Sequence, residues 1–443
     1  MEAISIPDLD RALPPRPDLS RFMMQVGFML TPTRFLDSCQ ERCGDYFTLR
    51  PAKDRVLVVT SDPEAVRQVF TGDPRLLHAG EGNEVLEPLL GRGSVLLLDR
   101  EEHLRHRRLL LPPFHGERMR TYGEMMREVA AREIEKWPRG RSFAVLPGMQ
   151  AITLEVIMRA VFGLEDRARL DELGPPLRRL LDTVGSRSRV LMLALTAERT
   201  GRGSPWARFA KARAEADELL FAEIRSRRAD PDSAARGDIF SLLLAARDED
   251  GAALSDAELR DELMTLLVAG HETTATAMAW TLERVTREPQ VLARLSGESG
   301  DGEYLDAVIK ETLRLRPVVP AVVRRLKEPM EFGGWRLPPG VHIAPSIYLL
   351  HRRADLYPDP LAFRPERFLD GAPGTYEWIP FGGGVRRCLG ASFALFEMQA
   401  VLGEVFRSLR VRPAGSRTRA EGTTRRAITF APTRGGRIAV AAV

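Results

Sequence analysis

The sequence predicts a mainly α chain with small β-sheets, an α+β fold, and three observations carry that prediction. Residues 100 to 320 place apolar side chains at helical spacing almost without a break. Short β-prone runs bounded by turn residues lie on either side of that block, at 46–60 and beyond 320. The chain has 443 residues, 44% hydrophobic and 28% charged, which suffices for a large core and excludes a disordered or collagen-like polypeptide.

The elements follow in order. "PDLDRALPPRPD" (7–18) reads as an extended, proline-rich surface arm. "YFTLRPAKDRVLVVT" (46–60) holds two β-prone runs around a polar turn, a hairpin, and "DPEAVRQVF" is the helix after it. "TGRGSPW" (200–206) and "DPDSAARGD" (230–238) mark loops between helices. In "MEFGGWRLPPGVHIAPS" (330–346) Gly and Pro break short strands, and "AITFAPTRGGRIAV" reads as a last hairpin. No change of composition marks a linker between halves.

One helix stands apart. In "SDAELRDELMTLLVAGHETTATAMAWTLERVTREP", Ser255 and Glu258 form a capping box and Pro289 closes the segment, giving about 33 residues or about 50 Å. Leu263, Leu266, Leu267, Val268, Ala277, Met278 and Leu282 cover nearly every face, so it is expected to run through the core. At its centre stand Gly270, His271, Glu272, Thr273 and Thr274. Glycine loses about 1 kcal/mol there against alanine, a buried carboxylate needs a partner, and a threonine hydroxyl bends the helix by bonding one turn back. Either two helices meet at a satisfied polar patch, or Gly270 admits a flat group while Glu272 and Thr273 supply a proton donor and acceptor beside it.

Composition removes other classes. Cys39, Cys43 and Cys388 fit neither a disulfide framework, a CxxC redox pair nor a zinc site. The formal charge is +4; five of the 65 basic residues are Lys and 60 are Arg, interleaved with acids as on solvated helix faces rather than in nucleic-acid-binding blocks. "RFMMQVGFML" falls short of the ~18 apolar residues a membrane span needs and carries no signal-peptide pattern. A cytoplasmic protein with no transmembrane segment is expected.

"PFGGGVRRCLG" (380–390) sets a thiol among glycines and arginines. Cys388 is expected at the positive start of the helix "CLGASFALFEMQAVLGEVF", and with Arg386 and Arg387 nearby the thiolate is favoured. Gly382, Gly383 and Gly384 permit a tight loop against which a large planar group can lie. Such a thiolate suits an axial ligand of haem iron. A buried structural cysteine is the bland alternative, and a phosphate loop would need a GK[ST] ending that is missing.

Together these residues carry a resemblance. Phe381, Gly384, Arg386, Cys388 and Gly390 match every fixed position of FxxGxRxCxG, the signature of the haem-thiolate monooxygenases of the cytochrome P450 superfamily. Ala269 to Thr274 resembles that family's oxygen-activation motif, "ETLR" supplies its ExxR pair Glu311 and Arg314, and "FRPERF" supplies Arg367 of its buried Glu-Arg-Arg cluster. "REEHLRHRRLLLPPF" is similar to its helix that reaches the haem propionates, with His103 and Arg107 on one face.

The resemblance implies a single-domain cytochrome P450 prism fold over 14–443, preceded by an arm at 1–13. It implies haem b, with Cys388 as the metal ligand. His103, Arg107, Arg386 and Arg324 are the expected propionate contacts, with Arg325 as the alternative to Arg324. Phe381, Gly384, Gly390, Ala269 and Gly270 would border the cofactor. Glu272 and Thr273 would be catalytic, delivering protons during O2 activation. The chain ends about fifty residues after Cys388, so electrons are expected from a separate ferredoxin or flavodoxin and its NAD(P)H reductase, drawn to "GVRRCLG" and "RHRR". A monomer is expected. The pocket walls implied by position are the loop from about Arg75 to Leu98, the faces of Leu266, Ala269 and Gly270, and Pro317 to Val322. They are nearly all apolar and suggest a lipophilic substrate such as a terpenoid, steroid, fatty acid or polyketide. A peroxide-dependent peroxygenase and a non-catalytic haem sensor are the rival functions.

Overall fold

A computed structural model describes residues 12–52, 55–114, 118–164, 167–185, 204–233, 236–297, 302–371, 373–415 and 420–442. The start of the expected arm, through residue 11, and parts of the expected loops at 200–206 and 230–238, lie outside the described residues. The second half of the arm is packed rather than free. Leu13, Pro14 and Pro17 are buried, because Thr48 donates through N–H and Oγ1 to the carbonyls of Pro15 and Pro14, both at 2.8 Å.

The hairpin at 46–60 forms as expected, Tyr46–Leu49 pairing antiparallel with Leu57–Thr60 in the register Tyr46 to Thr60. It enters a five-stranded sheet that continues through His342–Pro345, Arg324–Leu326 and Leu77–His78. The helix Pro63–Thr71 follows, with Asp62 accepting from the Glu64 N–H as its cap. The stretch after Arg75 is more than a loop, since Glu81–Leu86 is a 3₁₀ turn and Glu87–Leu90 a helical turn.

The long helix spans Asp256–Val285, 30 residues, and both halves of the Ser255–Glu258 capping box are made. It stops four residues short of Pro289, which instead opens the helix Pro289–Gly297. Proline is tolerated at a first helical position, where its missing N–H would have had no partner. Leu259, Leu263, Met264, Leu267, Ala275 and Met278 are sealed from solvent and join the main core. The helix packs along Leu146–Ala160.

The C-terminal run departs from the expected hairpin. Thr429–Pro432 pairs with Thr423–Arg426, whereas Arg437–Ala442 pairs with Leu409–Pro413 and Phe143–Ala144. Gly435 and Gly436, at φ 74° and 65°, turn the chain out of one sheet and into the other. A Cβ on Gly436 would stand 2.8 Å from the Ala279 carbonyl oxygen of the long helix.

Candidate active site

The cysteine loop is shaped by what lies behind it. Gly382 and Gly384 take φ 68° and 62°. A Cβ on Gly383 would fall 2.2 Å from the Phe70 ring, and one on Gly384 2.0 Å from the Phe70 carbonyl oxygen. Gly383 and Gly384 therefore let the loop press onto Pro63–Thr71; room is left at Gly382, where a Cβ would meet only Val322 Cγ1, at 3.8 Å. Gly390 has room as well, since a Cβ there would meet nothing within 4 Å.

Gly390 is the N-cap of the helix Ala391–Ser408, so Cys388 precedes the helix instead of starting it. The Cys388 N–H donates to the Phe381 carbonyl at 3.0 Å, and the Gly390 N–H reaches the sulfur. Phe381 is half-buried beside Trp378, ring centroids 6.2 Å apart. The Cys388 surface is accessible although protein surrounds the residue, the signature of a group facing an interior hollow. The thiolate expectation needs correction here. Burial pushes the thiol up, against the Gly390 N–H and the charges of Arg107 and Arg387. A cation at the sulfur is what would reverse that balance.

The long helix contributes a second interior surface. Ala269 is exposed, and Leu266, Gly270 and Thr273 are half-buried, while Leu263, Leu267, His271 and Thr274 are buried. Positions 266, 269 and 273 share one face, so an open stripe runs along a core helix. The Thr273 hydroxyl donates to the Ala269 carbonyl at 2.6 Å. Gly270 serves a different neighbour from the one expected, because its Cβ would lie 2.8 Å from Ile157 Cδ1 and its absence lets Leu146–Ala160 pack close. Glu272 is held by Gln150 Nε2 at 2.6 Å and Arg426 Nη1 at 3.3 Å. His271 bonds Thr153 Oγ1 at 3.0 Å, and burial pushes it down to about 3, so it is neutral.

Basic side chains gather beside the cysteine loop. His103 and Arg324 are buried and Arg386 nearly so. Burial, then the charges of Arg386, Arg107 and Arg324, push His103 down to about 3. Burial likewise pushes Arg324 and Arg386 down to about 10; Arg386 lowers Arg324 further and Arg107 lowers Arg386, while Asp99 raises both. Asp99 answers Arg386 at 2.6 Å but also accepts the N–H groups of Gly80 and Glu81. Strand alternation separates the two neighbouring arginines: Arg324 turns into this cluster and Arg325 pairs with Glu81 at 3.0 Å. Arg107 donates to the Arg387 carbonyl at 2.8 Å and so braces the cysteine loop.

The Glu-Arg-Arg cluster that the resemblance implied is formed. Arg314 is bidentate to Glu311, at 2.7 and 2.9 Å, with both side chains sealed from solvent. Its remaining N–H groups go to the carbonyls of His351, Pro360 and Ala362. Glu311 also accepts from Arg367 Nε at 3.2 Å and the Arg364 N–H at 2.8 Å. This ties the helix Glu303–Leu315 to the 351–367 stretch just ahead of the cysteine loop.

Some neighbours were missed in the sequence. Glu262 follows Asp261 directly and stands just ahead of the apolar run "LMTLLVAG", so no local pattern set it apart from the helix's other acids; His106, one turn after His103, pairs with Glu262 at 2.7 Å. The "RHRR" patch is also smaller than its composition implies. Arg105 turns to Asp248 and Glu258, His106 is buried, and Arg108 pairs with Glu249.

Haem b fits this donor set: an accessible sulfur beside the open side of Gly390, buried cations exceeding the one nearby carboxylate, and an open stripe on the long helix. Buried cations in such excess suit a ligand edge carrying two carboxylates. The fold and site define a haem-thiolate monooxygenase. The family model for Cytochrome P450 matches residues 14–435, and the chain belongs to the cytochrome P450 family. It is 46% identical over 438 residues to cytochrome P450 135B1 of Mycobacterium tuberculosis, covering 97% of this chain and 92% of that one. With cytochrome P450 135A1 of the same species it shares 40% over 434 residues, 97% and 95% of the two chains. Among solved structures it resembles the retinoic acid-bound cyanobacterial CYP120A1, with a TM-score of 0.84 and 24% identity over 97% of this chain and 99% of the other. The heme domain of cytochrome P450DA gives a TM-score of 0.83, also at 24% identity, over 97% and 98%. The family uses haem b, O2 and redox partners. Among the described residues no helix is long and apolar enough to cross a membrane.

Proposed function

We propose that this P450 hydroxylates or epoxidises a lipophilic small molecule with O2 and electrons from a separate ferredoxin or flavodoxin, its reductase drawing on NAD(P)H. The haem domain spans 14–443, and the protein works as a cytoplasmic monomer. Cys388 would hold the iron, and His103, Arg107, Arg324 and Arg386 the two propionates. His103, being neutral, would donate a ring N–H, and the arginines would supply the charge. Phe381, Gly384 and Gly390 shape the proximal side, Gly384 by letting the loop sit on Phe70. Ala269 and Gly270 shape the distal side, Gly270 by admitting Ile157. When bound, haem supplies the iron at which O2 is reduced and one oxygen atom is passed to substrate.

The observation that carries this reading is the open stripe Leu266, Ala269, Thr273 on an otherwise buried helix. Thr273 places a hydroxyl on that stripe. Glu272, on the neighbouring face, is the group able to exchange a proton with it. Rotation of Glu272 away from Gln150 and Arg426 would carry protons inward. The substrate side is apolar at Leu96, Leu97, Val319 and Val322, and a Cβ on Gly82 would lie 3.0 Å from the Val323 carbonyl oxygen, so these two walls adjoin. This favours a terpenoid, steroid, fatty acid or polyketide over a polar substrate.

The test is product formation under labelled O2 with a ferredoxin, its reductase and NAD(P)H, after a ligand panel has identified a binder by its spin-state shift. One labelled oxygen per product is expected. Turnover with hydrogen peroxide alone that equals the electron-driven rate would favour the peroxygenase instead.

A further inference from the structure

Glu262 sits on the long helix seven residues before Ala269, about 10 Å along the axis, and is sealed from solvent. Its Oε1 accepts twice, from the Val95 N–H at 2.9 Å and from His106 Nδ1 at 2.7 Å. Neighbouring helix positions grip the same stretch of chain. Arg260 Nη1 donates to the Leu90 carbonyl at 2.7 Å, Asp261 Oδ2 accepts the Gly93 N–H at 2.8 Å, and Thr265 Oγ1 donates to Ser94 Oγ at 2.7 Å. On the far side of that stretch Arg386 donates to the carbonyls of Val95 at 3.2 Å and Leu98 at 2.6 Å. The Val95 backbone is therefore held at its N–H by Glu262 and at its carbonyl by Arg386.

A buried acid is a costly way to hold one N–H. Burial pushes Glu262 up to about 7, while His106 and the Val95 N–H pull it down. His106 is raised against its own burial by Glu262 and Glu258. Asp261 and Glu258 on the same helix, and Arg105 beside His106, complete the charged surroundings. His106 stands one turn after His103 on the helix Arg100–Leu110, so the same acid also fixes the helix that presents His103.

We propose that Glu262 is a positioning residue. Through the Val95 backbone it sets where Arg386 points, and through His106 where His103 stands, so that the 90–98 pocket wall and the carboxylate-binding side chains form one unit anchored to the long helix. The link to haem rests on the reading of Arg386 and His103 given above.

The test compares Glu262→Met, nearly the same shape without an acceptor, with Glu262→Gln, which keeps an oxygen for both donors. Both are studied as haem-loaded protein by hydrogen–deuterium exchange and by transfer of haem to an acceptor apoprotein. In Glu262→Met, exchange over 94–98 rises about tenfold or more and haem loss rises with it, while residues 274–285 stay within about twofold. Glu262→Gln stays within about twofold of the parent in both. Equal behaviour of the two variants, unchanged exchange in Glu262→Met, or faster exchange without faster haem loss overturns the proposal. Should Glu262→Met not fold, Glu262→Asp, which retracts the acceptor by one methylene, takes its place with the same expected rise. The reduced carbon monoxide band, recorded on the same samples, tests the haem reading separately, so failure of one is distinguishable from failure of the other.

Discussion

At the scale of single residues, two positions have opposite characters. Gly384 is fixed by sterics alone, with φ 62° and the Phe70 carbonyl where a Cβ would be. Gly384→Ala is expected to destabilise the protein by more than about 1 kcal/mol, read as a lowered denaturant midpoint, because the left-handed conformation and the contact both count against it. Thr273 is fixed by chemistry. Thr273→Ala removes one i−4 hydrogen bond that the helix does not need, so folding should be preserved while the product formed per NAD(P)H falls several-fold and hydrogen peroxide accumulates. Unchanged coupling would remove the proton-delivery role from Thr273. Gly384 was legible in sequence as a motif position but not its reason, since Phe70 is more than three hundred residues away in the chain.

At the scale of elements, what could be read was local. The capping box, the 46–60 hairpin and the helix behind Asp62 were legible because their cues lie within a few residues of one another. The last hairpin was not. "AITFAPTRGGRIAV" has the composition of a hairpin, but strand partners are chosen by the packed surfaces of Phe143–Ala144 and Leu409–Pro413, which no local pattern announces. The start of the cysteine helix was missed for a related reason: Gly390 ends the loop and caps the helix, and a glycine signals either. Glu311 shows how elements are tied. It joins Arg314, Arg367 and the Arg364 N–H in a sealed site, so Glu311→Leu leaves Arg314 without its bidentate partner. A loss of about 3–5 kcal/mol is expected from calorimetry or denaturant unfolding, together with poor haem incorporation.

At the scale of the whole molecule, the ordered motifs between 269 and 390 disclosed the family, while the walls that select a substrate did not disclose what they select. The core also sets an acid limit. Burial pushes His271 and His351 down to about 3, well below their ordinary value near 6.5. The unfolded chain therefore takes up protons below pH 6.5 that the folded chain refuses until about pH 3, and stability falls as pH drops through that window. Two such groups remove about 3 kcal/mol between pH 6.5 and 5. Denaturant midpoints measured across that range should fall steeply, and His351→Asn should flatten the slope by about one proton. Every role proposed for the site depends on Cys388 being the ligand of haem iron. The most direct measurement is the absorption spectrum of the reduced, carbon monoxide-bound protein beside that of Cys388→Ser. A strongly red-shifted Soret band that the variant loses is the expected result, and its absence from folded, haem-loaded parent protein would contradict thiolate ligation and the function built on it.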